Sequence, residues 1–555
     1  MTKTQQNSSD LATVRDTVES IWVAIVLAFV LRAFFVEAFV IPTGSMAPRL
    51  MGEHWNLQCP ACQYVYAYGW PGRGDDHPQR NLKVIPDQAQ CPTCGYHYAD
   101  KRTEETAQYV DAGDRVLVMK YLYNFIEPQP WDVIVFKNPQ NNRENYIKRL
   151  VGLPGESIRI FNGDVFYSSQ ATGHRMQIRR KPPKAQDSMW QVVHDNDYQP
   201  LPDLLPDPPK QWLAQDAGAV QARLFGRTFS YDGSRPVELA FKADARAFLP
   251  AYGYNPPPTL SDDARKMEIC SDLKLECVFA PKEASSRVEL LLSNFERRFR
   301  ATVSADGSIA VHSSPSLAGD RWEQWGQTAV GALEIGKGYK IALTNVDFRL
   351  TLWIDGKAVF ESSDDAYNVD FDTLGERLAS ALEDLKSARI NREAIPWPQV
   401  KIVVRDGSSE LWHLKLMRDV YYTVFELENA PETPIGAYAR QLGVKPGRAG
   451  WAIQEPLVLA QHPEDPDLDS FFVLGDNSPH SLDGRAWTKA APTLRLWAEP
   501  PSDGKPGKPL YQLGTVPRYS IIGRALFVYW PAGFRAPKFP SVPLIPNVGR
   551  MRLIR

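Results

Sequence analysis

The chain has 555 residues, too many for one hydrophobic core, so two to four domains are expected. It is 43% hydrophobic and 23% charged, an ordinary globular composition. A net charge of −2 supplies no field that would draw nucleic acid, and no nucleic-acid partner is expected.

Residues 20–41, SIWVAIVLAFVLRAFFVEAFVI, carry only Arg32 and Glu37 as charges and have about the length a helix needs to cross a bilayer. Residues 1–19 set Lys3 and Arg15 against Asp10, Asp16 and Glu19, unlike the short positive lead of a cleaved secretory signal. The expectation is a cytoplasmic segment over 1–19 and an uncleaved transmembrane anchor over 20–41. Directly after it, VIPTGSMAPRL holds Ser45 between Gly44 and Met46. No His–Asp pair stands nearby to activate that hydroxyl.

Within 55–98 come Cys59-Pro-Ala-Cys62 and Cys91-Pro-Thr-Cys94-Gly, two CxxC knuckles with 28 residues between them. Each knuckle sets two thiolates on a tight turn, and two complete a tetrahedron, so a structural zinc at Cys59, Cys62, Cys91 and Cys94 is expected, with disulfides as the alternative. Four thiolates leave no open position for catalysis by the metal. Cys270 and Cys277 are left open between a disulfide and buried thiols.

DRVLVMKYLYNF, DVIVFKNP and NYIKRLVGLPGESIRIFNG read as strands. In Tyr146-Ile147-Lys148-Arg149-Leu150, a strand puts Lys148 on one face with Tyr146 and Leu150, and Arg149 on the other. A neutral lysine is a base for a serine hydroxyl. Lowering its pKa from ~10.4 to roughly 7–8 takes ~4 kcal/mol, which burial in an apolar wall supplies.

Residues 168–224 are Pro-rich and read as a linker. Residues 225–425 hold many strand-like runs, with Asp306-Gly307 and Asp355-Gly356 as hairpin signals, and read as an inserted β-sandwich. Leu374, Leu378, Leu382 and Leu385 predict one helix within it. More strands follow over 426–535, then a tail over 536–555. The expected fold class is mainly β.

Four stretches carry a family resemblance. IPTGSMAPRL, NYIKRLVGLPGESI, FFVLGDNSPHSLDGRAW and IIGRALFVYWP, in that order after an apolar run, resemble the motifs of type I signal peptidase, the membrane-anchored Ser/Lys endopeptidase. The resemblance covers about 15–165 and 468–535. It implies a signal-peptidase-type β core in two parts, 42–167 and 426–535, with Ser45 as nucleophile and Lys148 as general base. It further implies that Thr43 and the Ser45 N–H form an oxyanion hole and that Ser481 orients the Lys148 amine. Asp483 and Arg485 would form a supporting ion pair, with Met46 and Tyr146 at the substrate groove. No cofactor is implied for catalysis. Signal-peptide-bearing preproteins are the implied substrates, and membrane lipid and the secretion translocon the further partners. The implied location is the bacterial cytoplasmic membrane, single-pass, with the catalytic part on the outer face. Departures from the family pattern are Ser478, Pro479 and His480 after Gly-Asp-Asn, and Gly484 in place of a common serine. TNVDFRLTLWIDGKAVF makes the 225–425 unit resemble concanavalin- or laminin-G-like sandwiches. The alternative is an inactive membrane-anchored binding protein whose sandwich holds envelope glycans or proteins.

Overall fold

The computed structural model describes residues 3–30, 32, 35–70, 83–84, 86, 88–98, 108–208, 211–215, 218–224, 226–242, 248, 253–255, 269–294, 296–315, 321–367, 371, 373–374, 398–423, 456–487, 490–494, 497–499, 508–509, 511–533 and 545–555. Among them the chain is mainly β, with two α-helices, Lys3–Val30 and Pro183–Met189.

One antiparallel sheet carries the motif-bearing segments. Its spatial order is Val36–Val40, Arg115–Met119, Ile521–Trp530, Val133–Lys137, Asn145–Gly152, Ser470–Leu474 and Val516–Pro517. Strands from the first third of the chain thus interleave with strands from the last. Alternation explains why VIVFK lies in the middle. Val133 and Val135 pack into a cluster with Ile41, Met46, Leu50 and Val116, whereas Ile134 and Phe136 join Leu150, Phe471, Val473 and Trp487 on the opposite face. Each such side chain contributes ~1.5–3 kcal/mol when fully buried.

A smaller sheet packs beside it, in the order Gln177–Ile178, Asp164–Ser168, Ser157–Phe161 and Leu457–Val458. The central part of the chain forms two further sheets that share one core. Leu275, Phe279 and Leu343 of one meet Leu290, Val303 and Ile402 of the other. Both Asp-Gly signals are hairpin turns: Gly307 has φ +87°, and Asp355 and Gly356 have φ +48° and +77°. That left-handed backbone is the reason glycine stands there.

Three expectations meet a different outcome or none. The apolar run 20–41 is not one helix, because Val36–Val40 pairs with Arg115–Met119 as a strand. The last 18 residues of the Lys3–Val30 helix include Arg15, Asp16 and Glu19, and no described helix is long and apolar enough to cross a membrane. The stretch 168–224 is structured over much of its length. Gln191–Asp195, Gln211–Ala214 and Val220–Arg223 are strands of the two central sheets, so the prolines rigidify connections within the sandwich. Of the predicted leucine helix, Phe371, Thr373 and Leu374 are helical, and Leu378, Leu382 and Leu385 lie outside the described residues.

Candidate active site

Asn145–Gly152 pairs with Val133–Lys137 so that Lys148 stands opposite Ile134 and Tyr146 opposite Phe136. Lys148 is therefore on the face of Ile134, Phe136 and Leu150, as the period of two requires. It is 3% exposed. Its Nζ donates to Ser45 Oγ at 2.5 Å and lies 5.2 Å from the centre of the Tyr146 ring. Burial lowers the Lys148 pKa to about 8, against the opposing pull of the Asp483 carboxylate.

Ser45 sits in a single 3₁₀ turn, Gly44–Met46, reached through extended backbone at Thr43. Asn477 holds that turn: its backbone N–H donates to the Ser45 carbonyl at 3.0 Å and its side-chain amide to the Gly44 carbonyl at 2.9 Å. Gly475 must be glycine, because a methyl there would stand 2.1 Å from Ser481 Oγ and 2.5 Å from the Ser45 carbonyl oxygen. Ser481 is thereby packed against the Ser45 turn. Its hydroxyl has no hydrogen-bond partner of normal geometry, yet lies near enough to Asp483 to help hold that carboxyl low.

Asp483 and Arg485 form the expected ion pair, wholly buried. Arg485 Nε and Nη2 grip the two carboxylate oxygens at 2.8 and 2.6 Å, and the Gly475 N–H donates to Asp483 at 2.9 Å. Arg485 also donates to Ser478 Oγ at 2.7 Å and to the Thr423 carbonyl at 2.6 Å. The guanidinium is the main reason the Asp483 pKa stays below its usual value despite burial.

Two other groups at the site escaped the sequence. Arg149, on the opposite face from Lys148, forks onto Asp476 at 2.7 and 2.6 Å. The signal was available: oppositely charged residues sit inside two motifs whose strands pair, with Leu474 opposite Arg149. Gly253-Tyr254-Asn255 gave no such signal. Asn255 and Asn477 exchange two amide hydrogen bonds at 2.7 and 3.0 Å, and the Tyr254 ring leaves no room for a side chain at Gly44 or Gly69.

Near this turn lie the knuckles, which have the same hydrogen bonding: Cys59 N–H to the Tyr64 carbonyl, Cys91 N–H to the Tyr96 carbonyl, both 2.9 Å. All four cysteines are buried and joined in no disulfide. Sγ–Sγ separations are 3.6 Å for Cys59–Cys94 and 3.7 Å for Cys62–Cys91. Zn–S bonds of about 2.3 Å in a tetrahedron put sulfurs about 3.8 Å apart, so the cage fits zinc, and the separations are far from a disulfide's ~2 Å. Cys270 and Cys277 are buried free thiols.

The comparisons bear on this geometry. Residues 97–203 match the family model described as signal peptidase, peptidase S26; the match takes in Lys148 and leaves Ser45 outside. Signal peptidase I of Rickettsia typhi is 24% identical over 174 residues, 31% of this chain and 50% of that protein. The enzyme of Pseudomonas aeruginosa is 31% identical over 142 residues, 25% and 33% of the respective chains. That of Leptolyngbya laminosa is 36% identical over 96 residues, 16% and 39%. The chain is related to the type I signal peptidases. It spans half or less of the length of these relatives. Among solved structures, a carbohydrate binding module of Bacillus subtilis, CBM66, overlays 37% of this chain and 94% of its own, at 12% identity and a TM-score of 0.22. The galectin LEC-6 of Caenorhabditis elegans overlays 27% and 82%, at 12% identity and 0.17.

The departures from the signal-peptidase pattern have local reasons. Ser478 accepts from Arg485, and its Oγ also accepts from the Thr423 N–H at 2.8 Å. Gly484 has no room for a serine, since a Cβ would lie 2.5 Å from the Gly514 carbonyl oxygen and 2.7 Å from the Phe472 ring. His480 is exposed on its turn, and Lys148, not a histidine, reaches Ser45. Thr43 is exposed beside the turn. Met46 differs from expectation. It is fully buried with Ile41, Leu50 and Val116, a floor under the turn and not a groove surface.

Proposed function

We propose that this protein is a serine endopeptidase that removes signal peptides from exported preproteins, with Ser45 as nucleophile and Lys148 as general base. The observation that carries the reading is the buried Lys148 amine, lowered to about 8, within hydrogen-bonding distance of Ser45 Oγ. A lysine at its usual ~10.4 would be neutral about once in 2,500 molecules at pH 7, whereas one at 8 is neutral in about a tenth.

In the proposed cycle the neutral Lys148 amine takes the Ser45 proton as Oγ attacks the scissile carbonyl. The Ser45 N–H and the Thr43 hydroxyl stabilise the oxyanion. The ammonium returns its proton to the leaving amine, and the acyl group stays on Ser45. A water activated by Lys148 then hydrolyses the ester. Asn477, Gly475 and Ser481 hold the turn and strand in register, with Asp483–Arg485 and Arg149–Asp476 fixing the loop between them. Tyr146, half-buried beside Lys148, is placed to line the substrate groove.

Membrane contact is part of the proposal. Ile21, Trp22, Val23, Val26, Leu27 and Phe29 on the N-terminal helix are all exposed, apolar side chains that water disfavours and lipid would cover. The four-cysteine cage would hold a structural zinc that fixes the knuckle segment and supplies no chemistry to the dyad. The sandwich is read as lectin-like in architecture, with a role in limiting which preproteins reach the cleft.

The test is cleavage of a purified preprotein by the full chain and by Ser45→Ala and Lys148→Ala. Loss in both, with wild-type activity rising through pH ~8, supports the dyad. Activity surviving either substitution ends the reading, and inactivity of the wild type on several preproteins favours the binding-protein alternative.

A further inference from the structure

Where the small sheet meets the sandwich, five buried or half-buried charged groups converge. Asp164 lies on the Asp164–Ser168 strand, Asp272 just before the Leu273–Pro281 strand, Asp347 in the turn after Tyr339–Val346, and Asp419 just after Ser409–Arg418. Lys181 ties two of them, contacting Asp347 and reaching Asp419 at 2.8 Å. Among the described residues Lys181 is the cation in ion-pair contact with these four carboxylates, so negative charge outnumbers its direct partners in a water-poor place. Burying an unpaired carboxylate costs several kcal/mol, so such a surplus calls for protons or a cation.

The position of Asp164 points to a cation. It is 8% exposed, and among the described residues its carboxylate makes no hydrogen bond or ion pair. It lines a cavity of about 20 Å³ with Asn162, Ser271, Asp272 and Tyr367, room for one water-sized occupant. Oxygens of Asp164, Asp272 and Asp347 all lie within 4.8 Å of one another. Oxygens that share one calcium ion, each at about 2.3–2.6 Å from it, stand no more than about 5 Å apart, so the three carboxylates are close enough to hold one ion. The donors are oxygens alone, with no thiolate or imidazole, which is hard-cation chemistry. Lys181 sits to one side, on Asp347 and Asp419, and leaves Asp164 and Asp272 to face the cavity.

We propose that Asp164, Asp272 and Asp347 form a calcium-class divalent-cation site that pins the small sheet beside the catalytic strands to the sandwich. Asp347 contributes an oxygen already fixed by Lys181, and Asp272 one held by the Asp347 N–H at 2.9 Å. The bound ion replaces missing positive charge, so its removal loosens the seam between the two units and leaves the Ser45–Lys148 pair in place.

The experiment uses the full chain with zinc held constant and calcium varied by an EGTA buffer. Equilibrium dialysis and thermal unfolding are compared for wild type, Asp164→Asn and Asp272→Asn, with magnesium as control. The proposal expects about one calcium per chain with Kd of roughly 10⁻⁴–10⁻³ M, and an upward shift in unfolding temperature on the order of 5 °C at saturation. Both variants should lose the shift, and Asp164→Asn, which deletes an unpaired buried charge, should fold without calcium. Absence of binding up to about 10 mM, with Asp164→Asn simply more stable, overturns it and assigns the cluster to shared protons. Calcium binding that both variants retain also overturns it, because the ion then sits elsewhere.

Discussion

Replacing Lys148 by Met should make the protein more stable at neutral pH while abolishing cleavage. The wild-type amine moves from its ordinary 10.5 to about 8 on folding, a depression of about 2.5 units. At ~1.36 kcal/mol per unit, the native state carries a penalty of about 3 kcal/mol wherever lysine is protonated in both states, that is, below pH 8. Between pH 8 and 10.5 the unfolded chain binds the extra proton, so wild-type stability rises with pH and the penalty fades. Met keeps the apolar stem and drops the ammonium, at a loss of about 1 kcal/mol for the hydrogen bond to Ser45. The variant should therefore be more stable by about 2 kcal/mol at pH 7 and no better than wild type near pH 10.5. Denaturant unfolding at pH 6, 7, 8.5 and 10, followed by proteolysis of the sheet that carries Lys148, reads the difference. A variant destabilised equally at every pH would show that the amine is not desolvated, and the argument for a neutral base would fail.

Gly475→Ala forces its methyl against Ser481 and the Ser45 carbonyl; a displacement of about 1 Å should lower kcat ~100-fold with far-UV circular dichroism unchanged. Arg485→Met strands a buried Asp483 carboxylate and should cost about 3–5 kcal/mol by denaturant titration, while Asp483→Asn combined with Arg485→Met should recover part of that loss. Metal analysis should find about one zinc per purified chain and almost none after Cys91→Ser, with loss of near-UV signal from the aromatic cluster around Trp55 and Tyr68. A zinc-free wild type with that signal intact would refute the cage.

How much of this was legible depends on where the deciding partner lies. Lys148 was readable because strand alternation is local: the residues at 146, 148 and 150 fix its face whatever the strand pairs with. The Asp483–Arg485 fork was expected only through the family resemblance of FFVLGDNSPHSLDGRAW, since the two residues by themselves read as an ordinary surface pair. The apolar run misled because VEAFV suits either a membrane helix or a strand, and what decides is RVLVM, about 75 residues later. Asn255 was invisible for the same reason, since its only warrant is an amide 222 residues away. Met46 follows the packing under its turn, which no motif encodes.

The interleaved order of the site has a consequence for synthesis. Ser45 and Lys148 leave the ribosome early, but the strand beside Lys148 and the loop that clamps Ser45 arrive some 330 residues afterwards. At ~5–20 residues per second, that interval is on the order of half a minute. A nascent chain thus carries Ser45 and Lys148 without the neighbours that hold them, and on the proposed reading the pair is assembled only after residues 470–485 have emerged.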